Sequence, residues 1–260
     1  MILKGASGLG DSIYAYPIVK HYCEKHDDIT VMSNYPELFA DLPVKVIRHT
    51  KDNSDIRFTY GIRKYTPGTN QFQDSVISAK IKEDLKLEIP WSIKNDKMIA
   101  RINKLFRRSG KKFKCALAVP YKPFGRTDDF GKEMTVNYKI IDELIKKFKD
   151  NVFFIQVGRF KPLYRYNNLD VDMNFKTTIP DLMDIVTYCD IGITQVGNLL
   201  PICECRNTPV LAFFSENGFK SESKFVRAIT PGKTLCKISS VAAIDTEPQD
   251  TINERFGKML

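Results

Sequence analysis

The sequence predicts an α/β fold with parallel sheets, and three observations carry that prediction. Apolar runs of strand length alternate along the chain with segments whose apolar residues recur at helical spacing. Several of these strands run straight into glycine-containing turns that open a helix, as at Gly8-Leu9-Gly10. The balance of 43% hydrophobic and 27% charged residues, with 17 Phe and 11 Tyr, suits a chain that buries a large core. A length of 260 residues fits one large α/β domain or two of about 100–150 residues each.

Taken in order, Met1–Lys4 reads as a short buried strand before the turn Gly5-Ala6-Ser7-Gly8-Leu9-Gly10. Asp11 and Ser12 open an amphipathic segment in which Ile13, Tyr14, Pro17, Ile18 and Tyr22 recur at helical spacing. Ile29–Met32 and Val44–Ile47 read as strands. The stretch from Thr50 to Trp91 is polar, turn-rich and weakly periodic, which suits insertions and loops. Met98–Phe106 reads as a helix running into a basic stretch and Gly110. Cys115–Val119 is an apolar strand stopped by Pro120, and the loop Tyr121–Glu133 follows.

Val136–Phe148 places Ile140, Ile141, Leu144, Ile145 and Phe148 on one helical face and lysines on the other. Val152–Val157 is a strand ending at Gly158-Arg159. Thr178, with Asp181 three residues on, has capping-box spacing and opens a helix through Thr187. Asp190–Ile193 and Pro209–Phe214 read as strands on either side of a short helix within Gly197–Cys205. Ile238–Ala242 is the last strand and Asn253–Leu260 a terminal helix. The natural seam between two domains is the basic region near residues 95–115.

The net charge of +9 is unevenly spread. Residues 101–165 hold 17 basic and 6 acidic side chains, net +11, more than the whole excess. Arg101, Lys104, Arg107, Arg108, Lys111, Lys112 and Lys114 lead this block. Such a block is either a solvated charge run or an electrostatic footprint for phosphates, nucleic acid or an anionic membrane surface.

Other chemistries are disfavoured. The six cysteines are scattered, and Cys203-Glu-Cys205 has neither C-x-x-C spacing nor a nearby histidine, so packed or free thiols are expected. All three histidines fall in the first fifth of the chain, which weakens a zinc-enzyme or Ser-His-Asp reading. No bound metal is expected. No apolar run approaches the roughly 18 residues of a membrane helix. The N-terminus enters a structured pattern at once, which makes a cytoplasmic location the expectation.

Three constellations carry candidate chemistry. In Gly8-Leu9-Gly10-Asp11, the glycines let a ligand approach the backbone, and a carboxylate at a helix start is favoured by the helix dipole. Asp11 is there either as a general base or as a plain helix cap. The loop after Cys115–Val119 carries Lys122, Arg126 and Lys132, and Arg159 follows the next strand in the same way. These cations suit phosphate oxygens or are surface charge. The turn Thr194-Gln195-Val196-Gly197-Asn198 feeds a helix and so presents unpaired N–H groups to an anion.

In order and spacing, three stretches together resemble the heptosyltransferase family of glycosyltransferases, which have the GT-B fold. Ile2-Leu3-Lys4 … Gly8-Leu9-Gly10-Asp11 … Pro17 resembles the family's opening strand, Gly-x-Gly-Asp turn and first helix. Val119-Pro120 … Lys132 … Ile140–Phe148 resembles the start of its C-terminal domain. Thr178–Asp190 followed by Ile193–Phe214 resembles its last block. The chain departs from the family at Gln195-Val196-Gly197, where an Asp-Ser/Thr-Gly turn is usual, and Leu200 stands about where a histidine would follow.

The resemblance implies two Rossmann-like domains with parallel sheets facing a central cleft. An N-terminal acceptor-binding domain would span residues 1–105 and a nucleotide-sugar domain residues 106–245, with a helix at 246–260 packing back on the first domain. It implies metal-independent, inverting glycosyl transfer with a nucleotide-sugar co-substrate and no other cofactor. Asp11 would be the base beside Gly8 and Gly10. Arg126, Lys132, Arg159, Gly197 and Asn198 would hold the donor phosphates. Arg101, Lys104, Arg107, Arg108, Lys111 and Lys112 would face an anionic polymer, either a lipopolysaccharide-type glycan or DNA carrying a hydroxymethylated base. A peripheral membrane contact stays open. The alternative is a catalytically inactive nucleic-acid-binding protein on the same fold.

Overall fold

A computed structural model describes residues 1–5, 8–50, 54–57, 89–119, 138–158, 166–195, 199–214, 240–243 and 247–260. They divide into two units, one holding the described residues through Pro90 and the other those from Trp91 onward.

The first unit is a four-stranded parallel sheet in the order β3-β2-β1-β4. Its strands are β1 (Ile2–Lys4), β2 (Ile29–Met32), β3 (Val44–Ile47) and β4 (Ile56–Arg57). Helix α1 (Leu9–Cys23) joins β1 to β2 and buries Ile13, Tyr16, Ile18 and Val19. A 3-10 turn at Pro36–Phe39 buries Leu38 and Phe39. The Tyr16 hydroxyl donates to Asp41 just beyond that turn. Burial, then the Asp41 carboxylate, pushes that phenol well above its usual range. The two-residue strand β4 lies inside the stretch that shows no clear periodicity in sequence, and it pairs with β1 through Leu3–Ile56 and Lys4–Arg57.

The second unit is a six-stranded parallel sheet, β10-β9-β8-β5-β6-β7. The strands are β5 (Phe113–Ala118), β6 (Val152–Gln156), β7 (Val171–Asp172), β8 (Ile191–Gln195), β9 (Val210–Phe214) and β10 (Ser240–Ala243). Counted from β5, this is the doubly wound order 3-2-1-4-5-6 read from its other edge. β5, β6 and β8 are buried almost end to end, as parallel strands covered on both faces must be.

The helices of this unit are α2 (Asp96–Ser109), α3 (Tyr138–Phe148), α4 (Ile179–Tyr188), α5 (Leu199–Cys205) and α6 (Gln249–Gly257). α2 is capped by Asn95, whose side chain accepts from the Met98 N–H at 3.1 Å, and ends on Gly110 at φ 69°, a left-handed position suited to glycine. α4 carries the capping box that the Thr178–Asp181 spacing predicts. α5 packs so closely on β8 that a Cβ on Gly192 would lie 2.6 Å from the Cys203 sulfur.

Two boundaries differ from those drawn on the sequence. The second unit begins near Trp91 and takes in all of α2, because Asp184 of α4 holds the entry to that helix. The fully buried Asp184 carboxylate accepts from the Trp91 indole N–H at 2.8 Å, from the Lys94 backbone N–H at 3.0 Å and from that of Asn95 at 2.7 Å. The terminal helix also starts earlier than expected, at Gln249, and by its contacts is part of the second unit. Its residues Ile252 and Phe256, one turn apart, are buried in the core around β5 and β6. Phe256 meets Phe148 edge to face at 4.9 Å between ring centroids and stacks on Phe154 at 6.4 Å.

Candidate active site

Open parallel sheets bind ligands beyond the carboxyl ends of their strands, where the strand order reverses. In the first unit that point lies between β1 and β4. The chain leaving β1 passes Gly5 and enters α1 at Gly8, so Leu9, Gly10 and Asp11 are the first three residues of the helix. The N–H groups of that turn favour a negative charge. Gly8 sits at φ −78°, ψ 154°, which any residue adopts, so left-handed freedom is not what the position uses.

Side chains from neighbouring strand ends fasten this turn. The Ser12 and Ser33 hydroxyls, both buried, lie 3.3 Å apart and tie α1 to the end of β2. The Ser33 N–H donates to the Ile47 carbonyl at 2.9 Å, and its hydroxyl accepts from the Tyr35 N–H at 3.1 Å. His49, two residues beyond β3, lies with Nε2 2.9 Å from the Gly5 carbonyl. A carbonyl only accepts, so Nε2 donates this hydrogen bond. The ring is half-buried. Sequence reasoning set the histidines aside as a group. The strand-end rule that picked out Asp11 would have found His49 if applied to β3.

In the second unit the order reverses between β5 and β8. The chain leaving β5 after Val119 carries Lys122, Arg126 and Lys132, and the chain leaving β8 carries Gly197 and Asn198. Arg159 follows Gly158 after β6. Arg126, Lys132, Arg159, Gly197 and Asn198 lie outside the described residues. In sequence, Lys132 and Gly197 follow the two strands that flank the reversal. Leu200, at the place of the family's usual histidine, is buried in α5 at 2% exposure.

The basic block resolves into two kinds of cation. Lys111 ion-pairs with Asp170, whose other oxygen accepts from the Phe154 N–H at 2.8 Å. Lys114 pairs with Asp190 at 3.0 Å, with its ammonium about 5 Å from the ring centres of Phe106 and Tyr188. Both therefore serve the second unit's own packing. Arg101, Lys104, Arg107, Arg108 and Lys112 are exposed, and so is Lys97, which sequence reasoning left out. The Cys115, Cys189, Cys203 and Cys205 thiols are buried, and burial is the main force holding each above its usual pKa, Cys205 at about 12. They are packed neutral thiols. Cys236 lies outside the described residues. Among the described residues no cluster of three His, Cys, Asp or Glu side chains suits a metal, and no helix is long and apolar enough to cross a membrane.

No family model matches the chain, and no curated protein matches it. Solved structures do, across nearly the whole length. The fold is that of GT-B-type glycosyltransferases of the heptosyltransferase kind. ADP-heptose lipopolysaccharide heptosyltransferase II of E. coli superposes with a TM-score of 0.60 at 11% identity, over 99% of this chain and 97% of that one. A family 9 glycosyl transferase from Veillonella parvula gives a TM-score of 0.61 at 10% identity, over 99% and 96%. The E. coli heptosyltransferase WaaC, with ADP-2-deoxy-2-fluoro heptose, gives 0.55 at 9% identity, over 100% and 99%.

Proposed function

We propose that this protein is a glycosyltransferase that moves a sugar from a nucleotide-sugar donor to a hydroxyl on an anionic polymer, with inversion and without a bound metal. The observation that carries the reading is the near full-length likeness to heptosyltransferases together with the doubly wound order of the second unit. The WaaC structure with an ADP-sugar analogue supports a nucleoside diphosphate sugar as donor class.

In this reading Asp11 removes the acceptor hydroxyl proton. The oxygen forms a bond to the anomeric carbon as the opposite bond to the nucleoside diphosphate breaks, and that electron pair leaves with the phosphate. Arg126, Lys132 and Arg159, with the N–H groups after Gly197 and at Asn198, meet the charge that develops there. His49 is a positioning residue that fixes the Gly5 carbonyl beneath the turn. A cytoplasmic location fits a soluble donor.

The test is a thermal-shift panel of UDP-, GDP-, ADP- and CMP-sugars, followed by turnover of Asp11→Asn on the sugar that binds. Donor binding with turnover reduced about 10²–10⁴-fold supports Asp11 as the base. Near-normal turnover removes it. A chain that binds none of the donors contradicts the transferase reading.

A further inference from the structure

We propose that the outer face of α2 docks on the phosphate backbone of duplex DNA. Lys97, Arg101, Lys104 and Arg108 stand at i, i+4, i+7 and i+11 on this helix. At about 100° and 1.5 Å per residue they fall within about 60° of the helix circumference, along about 16 Å of its axis. All four are exposed, and Arg107, also exposed, flanks them. The helix holds one acid, Asp96 in its first turn, so no carboxylate of the helix stands within the stripe. Like charges at i, i+3 and i, i+4 repel one another. The same basic block gives its two half-buried lysines, Lys111 and Lys114, acidic partners of their own. The stripe's charge is turned outward instead.

The chemistry of the face selects the partner. A helix that lies in a lipid interface sets apolar side chains beside its cations. Here the buried side holds Ile99 and Ile102, and Leu105 at the edge of the stripe is 39% exposed. Apart from Leu105, the outward surface is made of cations and Ala100. Single-stranded nucleic acid is gripped by aromatic stacking, and the stripe contains no aromatic residue. A straight row of cations fits a regular row of phosphates, which position a duplex without reading its sequence. The inference accords with a DNA acceptor in the reading above. It is tested separately, because DNA affinity is measured without a donor.

The experiment is fluorescence anisotropy of the full chain on a labelled duplex of mixed sequence, over a salt series. Four phosphate contacts give a slope of log affinity against log salt of about −3.6. Arg101→Gln with Lys104→Gln makes the slope shallower by about 1.8 and lowers affinity about 60-fold at 0.1 M salt. Both residues are exposed, so circular dichroism and melting stay as in the parent. Lys146→Gln with Lys147→Gln removes the same charge from the exposed face of α3 and serves as the control. Equal losses in the two double variants overturn the proposal, since only net charge would then matter. Absence of duplex binding at low salt also overturns it. Binding to phosphatidylglycerol vesicles in its place, lost in the α2 variant, reassigns the face to a membrane. Duplex binding without sugar transfer leaves the docking face standing and removes the transferase reading.

Discussion

Replacing Asp184 by Asn changes one oxygen into an amide nitrogen at a site where four hydrogen bonds converge. The Trp91 indole N–H reaches Oδ1 at 2.8 Å, the Asn95 N–H reaches Oδ2 at 2.7 Å, and the Lys94 N–H reaches both. An Asn side chain keeps its oxygen toward one end only. With the oxygen in the Oδ2 place, Asn95 and Lys94 stay bonded, and the new NH2 group faces the indole N–H, donor against donor. The charge-assisted indole bond, about 1.5–3 kcal/mol, is lost together with the Oδ1 branch of the Lys94 bond, and the remaining two weaken as the charge disappears. The net expectation is about 2–4 kcal/mol of destabilisation at a residue with no solvent exposure. Urea unfolding followed by far-UV circular dichroism measures it. Trp91 is the chain's single tryptophan, so its emission reports on the same site and should shift to the red. Trp91→Phe removes one donor and should cost less, about 1–2 kcal/mol. An Asp184→Asn protein within about 0.5 kcal/mol of the parent, with unchanged emission, would refute the claim that this carboxylate holds the entry to α2.

Gly192→Ala should destabilise by about 1–3 kcal/mol, because its Cβ would collide with the Cys203 sulfur in a closed part of the core. A denaturant midpoint that falls with an unchanged slope is the expected result. Burial raises the Asp181 pKa, but hydrogen bonds from the Thr178 N–H, the Asn95 amide and the Thr178 hydroxyl outweigh it and hold the carboxyl below its usual value. Its stabilising contribution is therefore present above about pH 4 and is lost as pH falls further toward the folded value. Asp181→Asn should flatten that acid limb in a melting series from about pH 6 to about pH 3. Lys132→Ala should weaken binding of a nucleoside diphosphate more than that of the nucleoside, and calorimetry showing equal losses would contradict a phosphate role.

Much of the fold was legible because its signals are local. The i, i+3, i+4 pattern of Ile140–Phe148, the Thr178–Asp181 cap and the apolar runs of β5, β6, β8 and β9 each act within a few residues. The alternation of strands and helices then required parallel sheets. β4 and β7 escaped notice because two residues are too few to set a period, and they exist through the strands they pair with. The terminal helix was visible as an element, but its docking face was not. Only the position of Phe148 and Phe154 shows where Phe256 goes.

The same division runs through the candidate site. The place of Asp11 at the start of α1, beside Gly8 and Gly10, could be read from the chain, because the strand and the helix start are close in sequence. His49 stands past the end of β3 in the same way, but its link to Gly5, across two further strands, is visible only in the tertiary structure. Composition gave the basic block its sign and place, and the tertiary structure decided what each charge does. Asp170 and Asp190, far along the chain, claim Lys111 and Lys114, while the turn of α2 gathers Lys97, Arg101, Lys104 and Arg108 on one exposed face. A charge's effect depends on what lies within a few ångströms of it, and that distance is set by the packing of elements remote in sequence.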